Sequence, residues 1–350
     1  MRVVLTVIHK HANEAITFTF HVMKIGVALS LVLLAILGCR STRLSNSPSW
    51  TNAKVLSDKE DHPSKIVSDG VAVYFVTGGT VASMNEGTDN IKRISLSDGA
   101  VTILVKGGKQ IPEAMLAVDD KYLYWSDGGN ILRLPKAGGT SEKIIPGVGQ
   151  PDEIVMDGEN FYWLIWTGEG SPPQPIMYAP KKGGEAKQLT PPQPSTSGLC
   201  LDGGFVYFMT GDGIKRVPKL GGGIVDVYRN SSTAPTLQLQ QDADGFYFCQ
   251  MDTMGDSHLV RLNKKTGELK SLASSINHTM EFAVSDGWVY YFSEVQGEGS
   301  FGPVSLLRVA TIGSYVIEID RGNAGWVKYL AVDTKQIYFT DISKVYALPK

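Results

Sequence analysis

Leu116-Ala117-Val118-Asp119-Asp120-Lys121-Tyr122-Leu123-Tyr124-Trp125-Ser126-Asp127 decides how the rest of the chain is read. Three successive apolar residues lead into an aspartate turn, and an aromatic pair begins five positions after that aspartate. The same phrase recurs along the chain. Asp69 precedes Tyr74-Phe75, Asp157 precedes Tyr162-Trp163, Asp202 precedes Tyr207-Phe208 and Asp242 precedes Tyr247-Phe248. Ser285 with Tyr290-Tyr291 and Asp333 with Tyr338-Phe339 bring the set to seven.

The anchors stand 38 to 50 residues apart, with strand and turn signals and no helical period between them. That spacing suits the blades of a propeller rather than a helical solenoid. The predicted fold is therefore all-β, a seven-bladed β-propeller. Runs such as Leu116-Ala117-Val118, Leu199-Cys200-Leu201 and Leu330-Ala331-Val332 read as inner strands buried on both faces. The aspartates, and Asp286-Gly287 in the sixth repeat, supply tight hairpin turns. The aromatic pair is large enough to fill the wedge between blades. Ile131–Lys136, Ile214–Lys219 and Val345–Lys350 read as third strands, with a proline where no ladder donor is required. Gly138-Gly139, Gly183-Gly184 and Gly221-Gly222 turn into outer strands at Ser141–Ile145, Ala186–Thr190, Ile224–Tyr228 and Glu268–Leu272.

The seventh repeat stops at Lys350 without an outer strand, while Ala53-Lys54-Val55-Leu56-Ser57 resembles Ala186-Lys187-Gln188-Leu189-Thr190 and precedes the first inner strand. The expectation is closure by an N-terminal strand that completes the last blade and covers its open edge.

The start of the chain reads as an export signal. Met23-Lys24 precedes an apolar run, Ile25 to Gly38, too short to span a bilayer but long enough for a signal-peptide core. Ile36-Leu37-Gly38-Cys39 resembles a bacterial lipobox, which makes Cys39 the predicted lipid-attachment residue. The expected organisation is an over-extended start at 1–22, a lipoprotein signal peptide at 23–38, a flexible tether at 39–50 and the propeller at 51–350. An uncleaved N-terminal anchor with Cys39 as a buried thiol is the competing reading. Acyl chains on Cys39 would give durable membrane anchoring. Arg40 stands where inner-membrane retention signals carry aspartate, so the outer membrane is preferred. The 312 residues after the signal suffice to bury roughly 75% of the unfolded chain's surface in one large domain.

Net charge −2 and a pI near 6.3, with no basic stripe, exclude nucleic acid as an expected partner. The two further cysteines, Cys200 and Cys249, read as small core residues rather than a required disulfide. His62, His258 and His278 lack metal-ligand spacing, and no phosphate loop, nucleophile elbow or Cys-x-x-Cys pair occurs. No cofactor or metal is expected. The turn aspartates read as turn formers, not as a catalytic carboxylate ring.

Variation between repeats falls in the connection between second and third strands. It is short at Ser126–Asn130, Thr210–Gly213 and Thr340–Ser343, and expanded at Val76–Asn90, Trp166–Pro175, Met251–Ser257 and Ser293–Pro303. Strand alternation puts these on one face with the connections between blades. That face carries Trp166, Glu169, Asp252, Asp256, Glu294, Glu298 and Phe301, aromatic rings beside carboxylates that suit a protein, peptide or glycan ligand. Ordinary solvated loops are the bland alternative.

Tyr124-Trp125-Ser126-Asp127, with Ile131 and Arg133 following, resembles the YWTD repeat of low-density lipoprotein receptor-type propellers. The recurring Arg-x-Pro-Lys-x-Gly-Gly segment is similar to bacterial YWTD-like propeller lipoproteins. Only the Asp119 repeat approaches the full tetrapeptide, and the receptor propellers have six blades against seven units here. Three function classes follow: a binding or protein-interaction scaffold at the cell envelope, a lyase or hydrolase with its site at the channel mouth, and a structural envelope component. The enzyme would need Glu113, Glu153 and Glu281, which precede inner strands, to converge. The scaffold is the expectation that the lack of catalytic signatures favours.

Overall fold

Seven four-stranded antiparallel sheets follow one another around a ring, each ordered from inner to outer strand along the sequence, except the last. The computed structural model describes residues 2–8, 15–21, 50–78, 89–108, 116–127, 129–149, 151–165, 172–229, 236–251, 257–274, 281–294, 303–313, 315–322, 327 and 329–350. Blade two shows the pattern: inner strand Leu116–Val118, then Tyr122–Ser126, Asn130–Pro135 and outer strand Glu142–Pro146. No helix occurs among the described residues, so none there is long and apolar enough to cross a membrane.

Burial explains why this sequence adopts a ring. Each of the seven apolar clusters is shared by two adjacent blades. Side chains alternate across a strand, so the two aromatics of each pair face opposite neighbours. Tyr124 packs with Phe161 and Trp163 of blade three, whereas Trp125 packs with Tyr74 and Val76 of blade one. Tyr74, Phe75, Tyr162, Trp163, Tyr247, Phe248, Tyr338 and Phe339 are all buried. Every blade therefore completes its core only against both neighbours.

The predicted closure is present. Lys54–Ser57 pairs antiparallel with Val345–Pro349, joining Lys54 to Ala347 and Val55 to Tyr346, and serves as the outer strand of blade seven. Three further contacts hold it. Trp50 is buried between blades six and seven, edge-on to Phe339 with centroids 4.6 Å apart and to Phe292 at 6.0 Å. Buried Asp320, on the outer strand of blade six, accepts the N–H groups of Thr51, Asn52 and Ala53 at 3.1, 2.9 and 3.0 Å. Beyond the strand, Glu60 accepts Ser57 Oγ at 2.5 Å and pairs with Lys92 Nζ of blade one at 2.6 Å. Its own N–H reaches Ser343 O of blade seven at 2.8 Å.

Several boundaries differ from expectation. The closing strand begins at Lys54 rather than Ala53, and the outer strand of blade three shrinks from Ala186–Thr190 to Lys187–Gln188. Leu189 N instead bonds Ile176 O beyond the strand, and Thr190 Oγ1 accepts Ile176 N. Inner strands are buried on successive positions only in part: Leu199 and Cys200 of blade four are buried, whereas Ala117 and Val118 beside buried Leu116 are half-buried, as are Leu330, Ala331 and Val332. These strands line the centre of the ring and keep one side open. In the other unit of the chain, Arg2–Ile8 and Ala15–His21 pair as an antiparallel two-stranded sheet, Arg2 opposite His21.

Candidate functional site

One face of the ring is taken up by structure. The turn aspartates cap their own hairpins, as predicted, but the second carboxylate oxygen has a further task that the sequence reading did not assign. In blade two, Asp119 Oδ1 accepts Lys121 N and Tyr122 N at 2.9 and 2.8 Å. Its Oδ2 accepts Tyr124 OH at 2.8 Å and Lys181 Nζ of blade three at 2.6 Å. The same tie joins Asp69 to Lys136, Asp157 to Lys219 and Asp202 to Lys264, at 2.7, 3.0 and 2.6 Å. At blade six the neighbouring Asp286 takes Lys350 at 2.7 Å. The lysine after the third strand of blades two, three, four, five and seven thus reaches back to the previous blade. Lys181 also lies over the Tyr124 ring, 5.3 Å from its centroid.

These contacts set the titration of the group. Burial alone would raise the Asp119 carboxyl, yet hydrogen bonds from Lys181, the Tyr122 and Lys121 amides and Tyr124 hold it down to about 2. Asp69, Asp157 and Asp333 are lowered against burial by the same kinds of donor. The Tyr74 and Tyr247 hydroxyls, buried beside aspartates, are pushed up to about 12.

The opposite face receives the starts of the inner strands and the connections between second and third strands. Four inner strands begin with a bulge, at Ser64/Ile66, Pro151/Ile154, Ser197/Leu199 and Leu237/Leu239. Lys65, Gly198 and Gln238, each four positions before its turn aspartate, take left-handed φ values of 28, 56 and 47°. A bulge turns one side chain out of the strand's alternation. Glu153 and Glu281 stand four positions before Asp157 and Ser285, in the same register.

Side chains of blade five then cover the open edges of neighbouring inner strands. Gln240 donates Nε2 to Phe282 O at 2.5 Å and accepts Val284 N at 2.9 Å, pairing with blade six as a peptide group would. Gln238 Oε1 accepts Phe282 N at 3.1 Å, and Gln241 Nε2 reaches Leu201 O of blade four at 2.6 Å. Lys264 Nζ joins this network at Gln241 Oε1 and Asp242 O. The sequence reading missed these glutamines. Their signal is visible in Thr236-Leu237-Gln238-Leu239-Gln240-Gln241, where amides interrupt a strand expected to be apolar.

Of the predicted channel-mouth residues, Glu281 accepts Leu330 N of blade seven at 2.9 Å, which gives it the same bridging role. Glu153 is half-buried on the inner strand Pro151–Met156, with blades four and five between it and Glu281. Glu113 lies outside the described residues, as do Trp166, Glu169, Asp252, Asp256, Glu298, Phe301 and Cys39. Glu294 ends the second strand of blade six, opposite Val304. Cys200 and Cys249 are buried as expected and not joined in a disulfide, and burial pushes the Cys249 thiol up to about 12. Among the described residues, no three His, Cys, Asp or Glu side chains stand together as metal ligands. His62 lies beside Asp61 at 2.9 Å, and His258 sits on the third strand of blade five.

No protein-family model matches this chain, and no curated protein matches it. Solved structures do. An oligogalacturonate lyase in complex with manganese is similar at 14% identity and a TM-score of 0.62, over 87% of this chain and 95% of that one. The CNH domain of AfRom2 is similar at 11% identity and 0.56, over 85% and 99%. A computationally designed protein, Ika8, gives 13% and 0.54, over 85% and 98%. At these identities the likeness shows the fold, a seven-bladed β-propeller.

Proposed function

We propose that this protein is a cell-envelope lipoprotein, anchored through lipid on Cys39 with the outer membrane preferred, whose propeller binds a protein, peptide or glycan on its loop-rich face. The YWTD-like ancestry read from Tyr124-Trp125-Ser126-Asp127 belongs to the same reading. The observation that supports it most is the division of labour between the two faces. On one, the recurrent aspartates, tyrosines and lysines are spent on joining blades. The other carries the connections that differ from repeat to repeat, and function resides preferentially in such loops on a rigid scaffold.

The enzyme reading draws on the lyase among the structural neighbours, a fold-level likeness. It would have to use Glu281 despite its bond to Leu330. The scaffold reading is tested with the membrane-tethered protein and alanine substitutions at Trp166, Glu169, Asp252 and Phe301. Cross-linking in intact cells should recover a discrete partner from the parent and lose it in these variants, while a Lys121→Ala variant on the opposite face keeps it. An adduct pattern that none of the substitutions alters would overturn the reading.

A further inference from the structure

We infer that the rim formed by blades six, seven and one is the edge of the propeller that lies against the lipid surface. The inference rests on the lipid anchor at Cys39 proposed above. The chain between Cys39 and Trp50 can span at most roughly 40 Å when fully extended. A domain of this size is about 50 Å across. Trp50 is fixed between blades six and seven, and Asp320 clamps the next three amides there. The anchor is therefore tied to the propeller at Trp50, among the outer strands of blades six and seven, and draws this part of the rim toward the membrane.

The surface beside that exit carries exposed apolar side chains on outer strands that would ordinarily be polar throughout. On blade six Tyr315 is 66% exposed, with Val316 next to it. Val55 is exposed on the closing strand of blade seven, and Val101 and Ile103 on the outer strand of blade one, Ile103 at 50%. Exposed Lys54 and Lys106 lie on the same strands and can meet anionic headgroups. Blades two and three, farther round, instead expose Glu142, Lys143 and Lys187 on their outer strands. Blade six carries one exposed ion pair among its apolar side chains, Glu318 with Arg321, and blade four also exposes Leu220, Val225 and Val227, but blade four lies across the ring from the exit. Valine, isoleucine and tyrosine flanked by lysine are the side chains that settle at a bilayer interface. An edge-on ring leaves both of its faces open to other molecules.

The test uses the full chain, acylated and reconstituted into vesicles of phosphatidylethanolamine and phosphatidylglycerol that carry a nitroxide-labelled phospholipid. Single cysteines replace Ile103, Tyr315 or Val225 and take a fluorophore, the native Cys200 and Cys249 being buried. Fluorescence should be lost to the lipid quencher at Ile103→Cys and Tyr315→Cys and retained at Val225→Cys. Equal loss at all three sites in an acylated, vesicle-bound protein overturns the rim assignment and leaves the anchor standing. A chain that carries no lipid and stays out of the vesicle fraction overturns the anchor, and the rim with it.

Discussion

The carboxylate of Asp320 holds the amide of Asn52 at 2.9 Å, across 268 positions of sequence, and takes the amides on either side as well. One buried acceptor thus fixes where the closing strand enters the ring. Without it, three N–H groups beside the core would lose a charged partner at once. Asp320→Ala should lower unfolding stability by about 3 kcal/mol, and Asp320→Asn, which keeps one acceptor, by about half as much. Denaturant titration checks both; equal losses would show that charge and geometry at this position do not matter.

The ties between blades should be coupled pairwise. A double-mutant cycle on Asp119→Asn and Lys181→Met should give an interaction energy of about 1 kcal/mol, since the pair is half-buried and closely placed. The exposed pair Lys265 and Asp244, 3.9 Å apart, should give a value near zero in the same experiment.

Acid should loosen the ring from this face first. A carboxyl whose folded pKa is depressed contributes stability above its ordinary value, and that contribution disappears as pH falls through the folded value. For Asp119 the window runs from 3.8 down to about 2. Asp69, Asp157 and Asp333 add to it in the same direction. The unfolding midpoint should therefore fall as pH drops across this window, and Asp119→Asn should flatten the slope. A slope unchanged in that variant would mean that the acid sensitivity originates elsewhere.

Backbone conformation separates two glycines of blade four. At Gly213, with φ at +141°, an added Cβ would stand 1.9 Å from Tyr228 O. At Gly203, with φ at +53°, it would meet nothing within 4 Å. Gly213→Ala should cost about 3 kcal/mol and Gly203→Ala about 1 kcal/mol, strain alone accounting for the second. Thermal unfolding of the two variants gives the order directly.

Much of the fold was legible because its elements are local and repeated. A turn residue and an aromatic pair at a constant offset keep their meaning in every blade, a Pro-Lys closes the third strand in four of them, and the likeness of 53–57 to an outer strand betrayed the closure. The aspartates' second role was hidden, since Lys181 lies 62 positions from Asp119 and the pairing skips to the next repeat. Trp50 and Asp320 occur once each and have no counterpart to compare. The candidate site was less legible for the same reason. Gln238, Gln240 and Gln241 act on strands of other blades, and no local pattern announces a partner about 40 residues away.

Because Val55 belongs beside Tyr346, the ribosome makes the first piece of the circle long before the last. Until Val345–Pro349 exists, the early segment has no mate, and Trp50 has no wedge to enter. Folding must therefore end by bringing together the most distant parts of the propeller chain, a slow kind of step. A truncation that removes only the final few residues would strand both ends together, leaving a nascent polypeptide that proteases can distinguish from a finished one.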